Sequence, residues 1–206
     1  MADRADIVAT LAEQHRELEQ TLTEVLNVPA GDPRRRSSLK QAAVTLACHT
    51  AESERHLHHF LRRYVPDDAD RLVQQQVTDL LRAEETMKDL EFTATDSGEF
   101  DPLVRRLIAT IRRHGEHTEA VLFPRLRAAA PPEVLAGLGD AARQVEAEAT
   151  TLRDEVERSE RPDVIDRAQA ALAPKDTRTK DARTTAYQQA ERLDRFLTGD
   201  ADLPDM

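Results

Sequence analysis

Histidine is the residue type whose number and placement in this chain point most clearly to chemistry. The sequence has seven histidines, and none follows His117 in a chain of 206 residues. Neutral imidazole is a ligand that suits iron and zinc, so histidines that converge from several helices would form a metal site. The single cysteine, Cys48, excludes a disulfide framework and any site built from several cysteines. We expect Cys48 to be inert and the compartment to be the reducing cytoplasm.

An internal repeat indicates which histidines belong together. The segment that contains His49 matches the segment that contains His114 at a constant offset, and a weaker match pairs His15 with Glu84. These four residues are the polar members of otherwise apolar faces, one on each of four predicted helices. Inward polar groups from four helices at similar heights are how bundles build metal sites.

Composition and periodicity predict an all-α fold that would position these residues. Only six glycines occur, and apolar residues recur at spacings of three and four. We expect four helices. The first two span 3–27 and 37–64, the third runs from a cap at Asp67 or Asp68 to 92, and the fourth begins at a cap at Asp101. Short turns make them an antiparallel up-down four-helix bundle over 1–130. A helical extension over 131–206, with helices near 133–158, 163–173 and 180–197 and a flexible tail, is expected to dock on it.

Three segments resemble the hemerythrin-like (HHE cation-binding) family. They are EQHRELEQTL around His15, HTAESERHL from His49 and HGEHTEAVLFPRL from His114, and the resemblance covers residues 3–128. It implies a four-helix bundle that holds non-haem iron, with a histidine from each helix and an H-x-x-x-E motif on the second and fourth helices. Carried over by position, His15, His49 and His114 match family ligands.

The chain departs from the family pattern at the carboxylates. Ser53 and Thr118 stand four residues after the motif histidines, and the third-helix histidine is replaced by Glu84, or by Glu85 in a register shifted by one. Hydroxyls are poor substitutes for carboxylates that neutralise and bridge two ferric ions. One or two iron ions, zinc and a metal-free bundle therefore all stay open at this point.

The next carboxylates along the two motif helices are Glu54 and Glu119. On an undistorted α-helix a residue five positions after a histidine points about 140° away from it. We therefore expect Glu54 and Glu119 not to share a metal ion with the motif histidines, and to face solvent or another helix.

Residues three positions after a motif histidine diverge by only about 60°. Glu52 and His117 occupy those positions, and His56 lies further along the same helix as His49, which predicts an edge-shifted site for one ion. We expect His58 and His59 to lie on the surface. The candidate metal ligands are therefore His15, His49, Glu84, His114, Glu52, His56 and His117.

Two functions remain in view. The first is non-haem iron binding linked to dioxygen, nitric oxide or oxidative-stress handling, or to iron sensing, with a small diatomic molecule as second ligand. The alternative is a degenerate, metal-free bundle that acts as a regulatory interaction module and meets a protein partner through its extension. The sequence shows no nucleophile beside a base and no glycine-rich phosphate loop, which argues against an enzyme.

Charge and hydropathy limit the partners further. The net charge of -10 and the scarcity of aromatic side chains argue against nucleic acid. The sequence has neither a signal peptide nor a run of about 20 apolar residues, so we expect no membrane association.

Overall fold

The computed structural model describes residues 6–173, in which every regular element is helical. The elements are α1 (Ile7–Asn27), α2 (Pro33–Glu52), a π-helical turn (Ser53–Leu57), α3 (His58–Tyr64), α4 (Ala69–Phe92), α5 (Phe100–His117), a second π-helical turn (Thr118–Leu122), α6 (Phe123–Ala129), α7 (Pro132–Glu157) and α8 (Val164–Leu172). The predicted all-α class is confirmed. The helix predicted near 180–197 and the tail lie outside the described residues. Among the helices of residues 6–173, none has the length and the apolar run that crossing a membrane requires.

Four helical rods form the bundle. The first π-helical turn joins α2 to α3 and the second joins α5 to α6, so each pair is one continuous rod. The rods α1, α2–α3, α4 and α5–α6 pack in a ring in which α1 contacts α2 and α5, and α4 contacts α3 and α5. The short connections make neighbouring rods antiparallel, which confirms the predicted bundle.

The start of α2 differs from the prediction. The sequence placed it near Ser37 and Ser38, but α2 begins at Pro33, and the Asp32 side chain accepts a hydrogen bond from the Arg34 amide. Proline is tolerated in the first turn of a helix, where its missing N–H has no helical partner. The expected cap Asp101 lies within the first turn of α5, and its carboxylate is bound by Arg35.

A polar layer separates two apolar clusters along the bundle. One cluster contains Leu22, Leu46 and Leu107, and the other contains Leu11, Leu57 and Leu126. The polar side chains between them are all buried. We call this set the polar layer, and its members are Gln14, His15, His49, Thr50, Glu52, Ser53, His58, Gln76, Glu84, His114 and Thr118.

The two helices after the bundle pack against its outer side. Helix α7 contacts α1 and α2, and α8 contacts α2 and α4. Val145 and Leu152 of α7 and Ile165 of α8 belong to the first apolar cluster. The buried carboxylate of Glu91 in α4 accepts a hydrogen bond of 2.7 Å from the Ile165 amide, which fixes the start of α8.

Arg35 of α2 is a buried cation with several partners, and these contacts lead to a stability prediction. Its guanidinium donates to the carbonyls of Val25 and Thr95, pairs with Asp101 and lies over the Phe100 ring. Arg35→Met would strand these acceptors, and we expect the free energy of unfolding in urea to fall by about 2–4 kcal/mol. Arg105→Met removes an exposed partner of the same carboxylate and should change it by less than about 0.5 kcal/mol. Equal losses in the two variants would contradict the assigned role.

Candidate metal centre

Three histidines from three helices converge inside the polar layer. His15 lies on α1, His49 on α2 and His114 on α5, and each residue is at most 5% exposed. One ring nitrogen from each lies within 4.8 Å of the others. The Nε2 atoms of His49 and His114 are 3.2 Å apart. The structure therefore brings together the three histidines that the repeat singled out.

The spacing of the His49 and His114 Nε2 atoms suits a common cation. Two imidazole nitrogens that bind one ion at about 2.0–2.1 Å lie about 2.8–3.4 Å apart for bond angles near 90–110°. In addition, His15 Nε2 and His114 Nδ1 are buried and make no hydrogen bond within the described residues. The donor set thus fits a metal ion, since buried nitrogen atoms otherwise find polar partners.

Burial also sets the protonation state of the cluster. Loss of hydration lowers the pKa of His15 and His49 below its usual range and lowers the pKa of His114 to about 3. For His15, the nearby Glu119 carboxylate opposes this shift. The three rings are therefore neutral near pH 7, which is the state that binds a metal ion.

The two π-helical turns change the direction of the carboxylates that follow His49 and His114. Each turn begins four residues after its histidine, at Ser53 and at Thr118. A π-helical turn contains one extra residue, so the side chain five positions after the histidine takes the direction that the fourth has on an α-helix. Glu119 Oε1 accordingly lies 3.0 Å from His15 Nδ1. Glu119, whose side chain is 48% exposed, thus contacts another helix, as expected, but its partner there is one of the three histidines. Regular α-helical spacing did not indicate this contact.

The two hydroxyl residues at the family's carboxylate positions are fully inside the bundle. Thr118 donates to the His114 carbonyl at 2.7 Å and accepts from Gln76 Nε2 at 2.9 Å. The Ser53 hydroxyl is buried and has no hydrogen-bond partner within the described residues. Thr118 therefore ties the start of the second π-helical turn to α4, whereas Ser53 places an unpaired hydroxyl, within the described residues, at the start of the first π-helical turn.

A small cleft next to the histidines is lined by further potential ligands. Its volume is about 10 Å³, close to the room that one water molecule needs. Glu54, His58 and Glu84 line it together with Thr50, whose hydroxyl donates to Glu84 Oε1 at 3.1 Å. The side chains of Val77, Leu80 and Leu81 complete the wall.

The burial of His58 corrects the surface position predicted for it. His58 is 6% exposed, its Nε2 makes no hydrogen bond within residues 6–173, and burial lowers its pKa to about 3. The extra residue in the π-helical turn rotates the following residues by about 100°, which turns His58 inward one helical turn after Glu54. His59 is exposed, as expected.

The edge-shifted ligands predicted from the sequence do not join the three histidines. Glu52 is fully buried but lies in a separate group with Cys48 and Glu146, and loss of hydration raises its pKa to about 8. His56 and His117 are only partly buried. Within residues 6–173, neither belongs to a group of three ligand atoms close enough to share an ion.

Sequence reasoning missed Glu54, Glu119 and His58 as residues near the site. The repeat did pair Glu54 with Glu119, and this identity between the two rods was a usable signal. No residue pattern marks the π-helical turns themselves, so nothing in the sequence pointed to His58.

Gly115 generates a prediction about the space beside His15. A Cβ atom at Gly115 would lie 3.2 Å from His15 Nδ1, whereas one at Gly137 in α7 would meet nothing within 4 Å. Gly137→Ala should raise the free energy of unfolding by about 0.5–1 kcal/mol through helix propensity. Gly115→Ala should not show this gain, because the added methyl group would press on the His15 ring. It should also shift the His15 ring signals in NMR spectra. An equal gain with unchanged His15 signals would contradict the close approach.

The neutral state of His58 predicts a pH dependence of stability. In the unfolded chain histidine takes up a proton below about pH 6.5, but folded His58 stays neutral down to about pH 3. The contribution of neutral His58 to the free energy of unfolding is present above about pH 6.5 and is lost as the pH falls. Between pH 6 and 4, stability of the metal-free His58→Gln variant should therefore fall less steeply than that of the original chain, by about 1.4 kcal/mol per pH unit. Urea unfolding at several pH values measures this, and His59→Gln, which changes an exposed ring, should keep the original slope.

Comparison with known proteins agrees with this geometry. A model of the family described as hemerythrin HHE cation binding domain matches residues 6–126, a segment that contains all three converging histidines and both π-helical turns. No curated protein and no solved structure matches the chain. The resemblance predicted from the three sequence segments is thus confirmed. Because the match spans more than half of the chain, the protein belongs to the hemerythrin HHE cation-binding family.

Proposed function

We propose that the chain is a non-haem iron protein whose first ion is held by His15, His49 and His114, with Glu119 beside them. The observation that carries this proposal is the convergence of three neutral, buried imidazoles, of which His15 Nε2 and His114 Nδ1 make no hydrogen bond within the described residues. Imidazole together with carboxylate oxygen is a ligand set that suits ferrous iron.

The neighbouring cleft offers room for a second ion. Glu54, His58 and Glu84 line it and supply two carboxylates and one imidazole. A cation in a buried site needs negative charge close by, and these carboxylates provide it. Glu84 was predicted as a ligand because it replaces the third-helix histidine, and His58 adds an imidazole from α3.

Bound iron would supply the capacity to take a small diatomic ligand such as dioxygen or nitric oxide. The protein's own part is to exclude bulk water and to limit the size of what reaches the site. The apolar clusters on both sides of the polar layer and the wall formed by Val77, Leu80 and Leu81 serve this purpose. A role in oxidative-stress handling or iron sensing follows from this chemistry, in a reducing cytoplasm that keeps iron ferrous.

The alternative, a metal-free interaction module, rested mainly on Ser53 and Thr118 at the motif carboxylate positions. The π-helical turns weaken that support, because they direct the following carboxylates toward the layer. The outer surface of the C-terminal extension stays the proposed surface for a protein partner in that alternative.

Anaerobic loading of tag-free protein with ferrous iron tests the proposal. We expect two ions per chain by metal analysis after equilibrium dialysis, and the loss of one of them in the His49→Ala/His114→Ala double variant, because this variant removes two of the three imidazoles of the first site. His59→Ala changes an exposed ring and should bind iron as the original chain does.

Iron content that is the same in the double variant would overturn the proposal. The second ion is tested separately by His58→Ala/Glu84→Gln, which should reduce two ions to one. If the original chain binds one ion and this variant also binds one, the cleft is not a metal site.

A further inference from the structure

A line of buried hydrogen bonds runs from His49 into a part of the polar layer that the proposed iron ligands do not use. Gln14 Oε1 lies 3.0 Å from His49 Nδ1, and Gln14 Nε2 donates to Glu52 Oε2 at 2.9 Å. Gln14 is 4% exposed and Glu52 is fully buried. Both groups of the Gln14 amide therefore have buried protein partners.

The partners fix which way the Gln14 amide faces. Its nitrogen lies 2.9 Å from Glu52 Oε2 and 3.8 Å from the Cys48 sulfur. Above the Glu52 pKa of about 8 the ionised carboxylate can only accept, so the amide nitrogen must face it. Its oxygen can only accept a hydrogen bond, so the His49 nitrogen opposite it must be the protonated one. This places the proton of His49 on Nδ1 and leaves the lone pair on Nε2, the atom that faces His114.

Glu52 is held in place by its own neighbours. Its second oxygen lies 3.5 Å from Cys48 Sγ, one helical turn earlier on α2, and the same sulfur lies 3.3 Å from Glu146 Oε2 of α7. The carboxylate thus has a fixed position from which it holds the Gln14 amide.

We infer that Gln14 is a positioning residue that sets the tautomer of His49, and that Glu52 sets the orientation of Gln14. The effect on metal binding rests on the proposed function, but the tautomer is a property of the metal-free protein. Groups that hold the second nitrogen of a ligating imidazole commonly change metal affinity by about 10-fold to 100-fold.

The tautomer can be read directly from long-range ¹⁵N–¹H NMR correlations of the metal-free chain above pH 8, where Glu52 is ionised, with His49 assigned through His49→Gln. We expect the Nδ1–H form in the original chain and loss of its predominance in Gln14→Met, which keeps the side-chain length but accepts no hydrogen bond from the ring. Glu52→Gln retains an oxygen that accepts from Gln14 and should keep the Nδ1–H form. Glu52→Met removes the oxygen that accepts from the Gln14 amide, so the Nδ1–H form of His49 should no longer predominate in that variant.

Ferrous iron titration of the same variants gives the second readout. Gln14→Met and Glu52→Met should bind iron about 10-fold to 100-fold more weakly, with Glu52→Gln close to the original chain. An Nε2–H form of His49 in the original chain, or an unchanged Nδ1–H form in the Met variants, would overturn the inference. If either Gln14→Met or Glu52→Met does not fold, the other variant still tests the inference.

Failure of the proposed function gives a different result. If the original chain takes up no iron while the tautomer changes as expected, iron binding is wrong and the positioning role of Gln14 stands.

Discussion

The structure depends on burying a layer of polar side chains between two apolar clusters. A buried polar group without a hydrogen bond costs about 1–3 kcal/mol, so such a layer is stable only if its members find partners. Thr118 with Gln76, and Thr50 with Glu84, meet this requirement across helices. The layer's side-chain atoms without a hydrogen bond, within the described residues, are the Ser53 hydroxyl and three ring nitrogens, namely His15 Nε2, His58 Nε2 and His114 Nδ1. A metal ion would give these imidazole nitrogens the partner that the described protein groups do not supply.

The fold could be predicted from the sequence because the spacing of apolar residues and the positions of chain breaks depend on local interactions within each helix. The sequence also identified His15, His49 and His114 as candidate ligands, because each is a polar residue on an apolar helix face at a repeated position. The start of α2 was missed because Ser37 and Ser38 are good caps but Asp32 with Pro33 forms an equally good start earlier. The π-helical turns were missed for a deeper reason. One extra residue in a turn follows from packing between helices and is marked by no residue type, so the directions of Glu119 and His58 could not be read from spacing.

The extension is more closely connected to the centre than its lack of histidines implied. Glu146 of α7 contacts Cys48, and Arg153 holds Glu146 at 2.5 Å and the Thr45 hydroxyl at 3.1 Å. Loss of hydration and the adjacent carboxylates raise the pKa of the Cys48 thiol, which keeps it protonated and unreactive. Helix α7 thus covers the side of α2 on which Cys48 and Glu52 lie, although it falls outside the segment that matches the family.

Charge balance explains why the π-helical turns matter more than the hydroxyls at positions 53 and 118. Neutral imidazoles contribute no charge, and a divalent cation among them would be an uncompensated buried charge. In this chain the residues four positions after the motif histidines are neutral, so compensation can come only from other carboxylates near the centre, which are Glu84 of α4 and the next carboxylates along the two rods. The π-helical turns bring Glu119 to His15 and Glu54 to the cleft beside Glu84. The same distortion that interrupts regular helix geometry therefore supplies the negative charge that a cation at this centre requires.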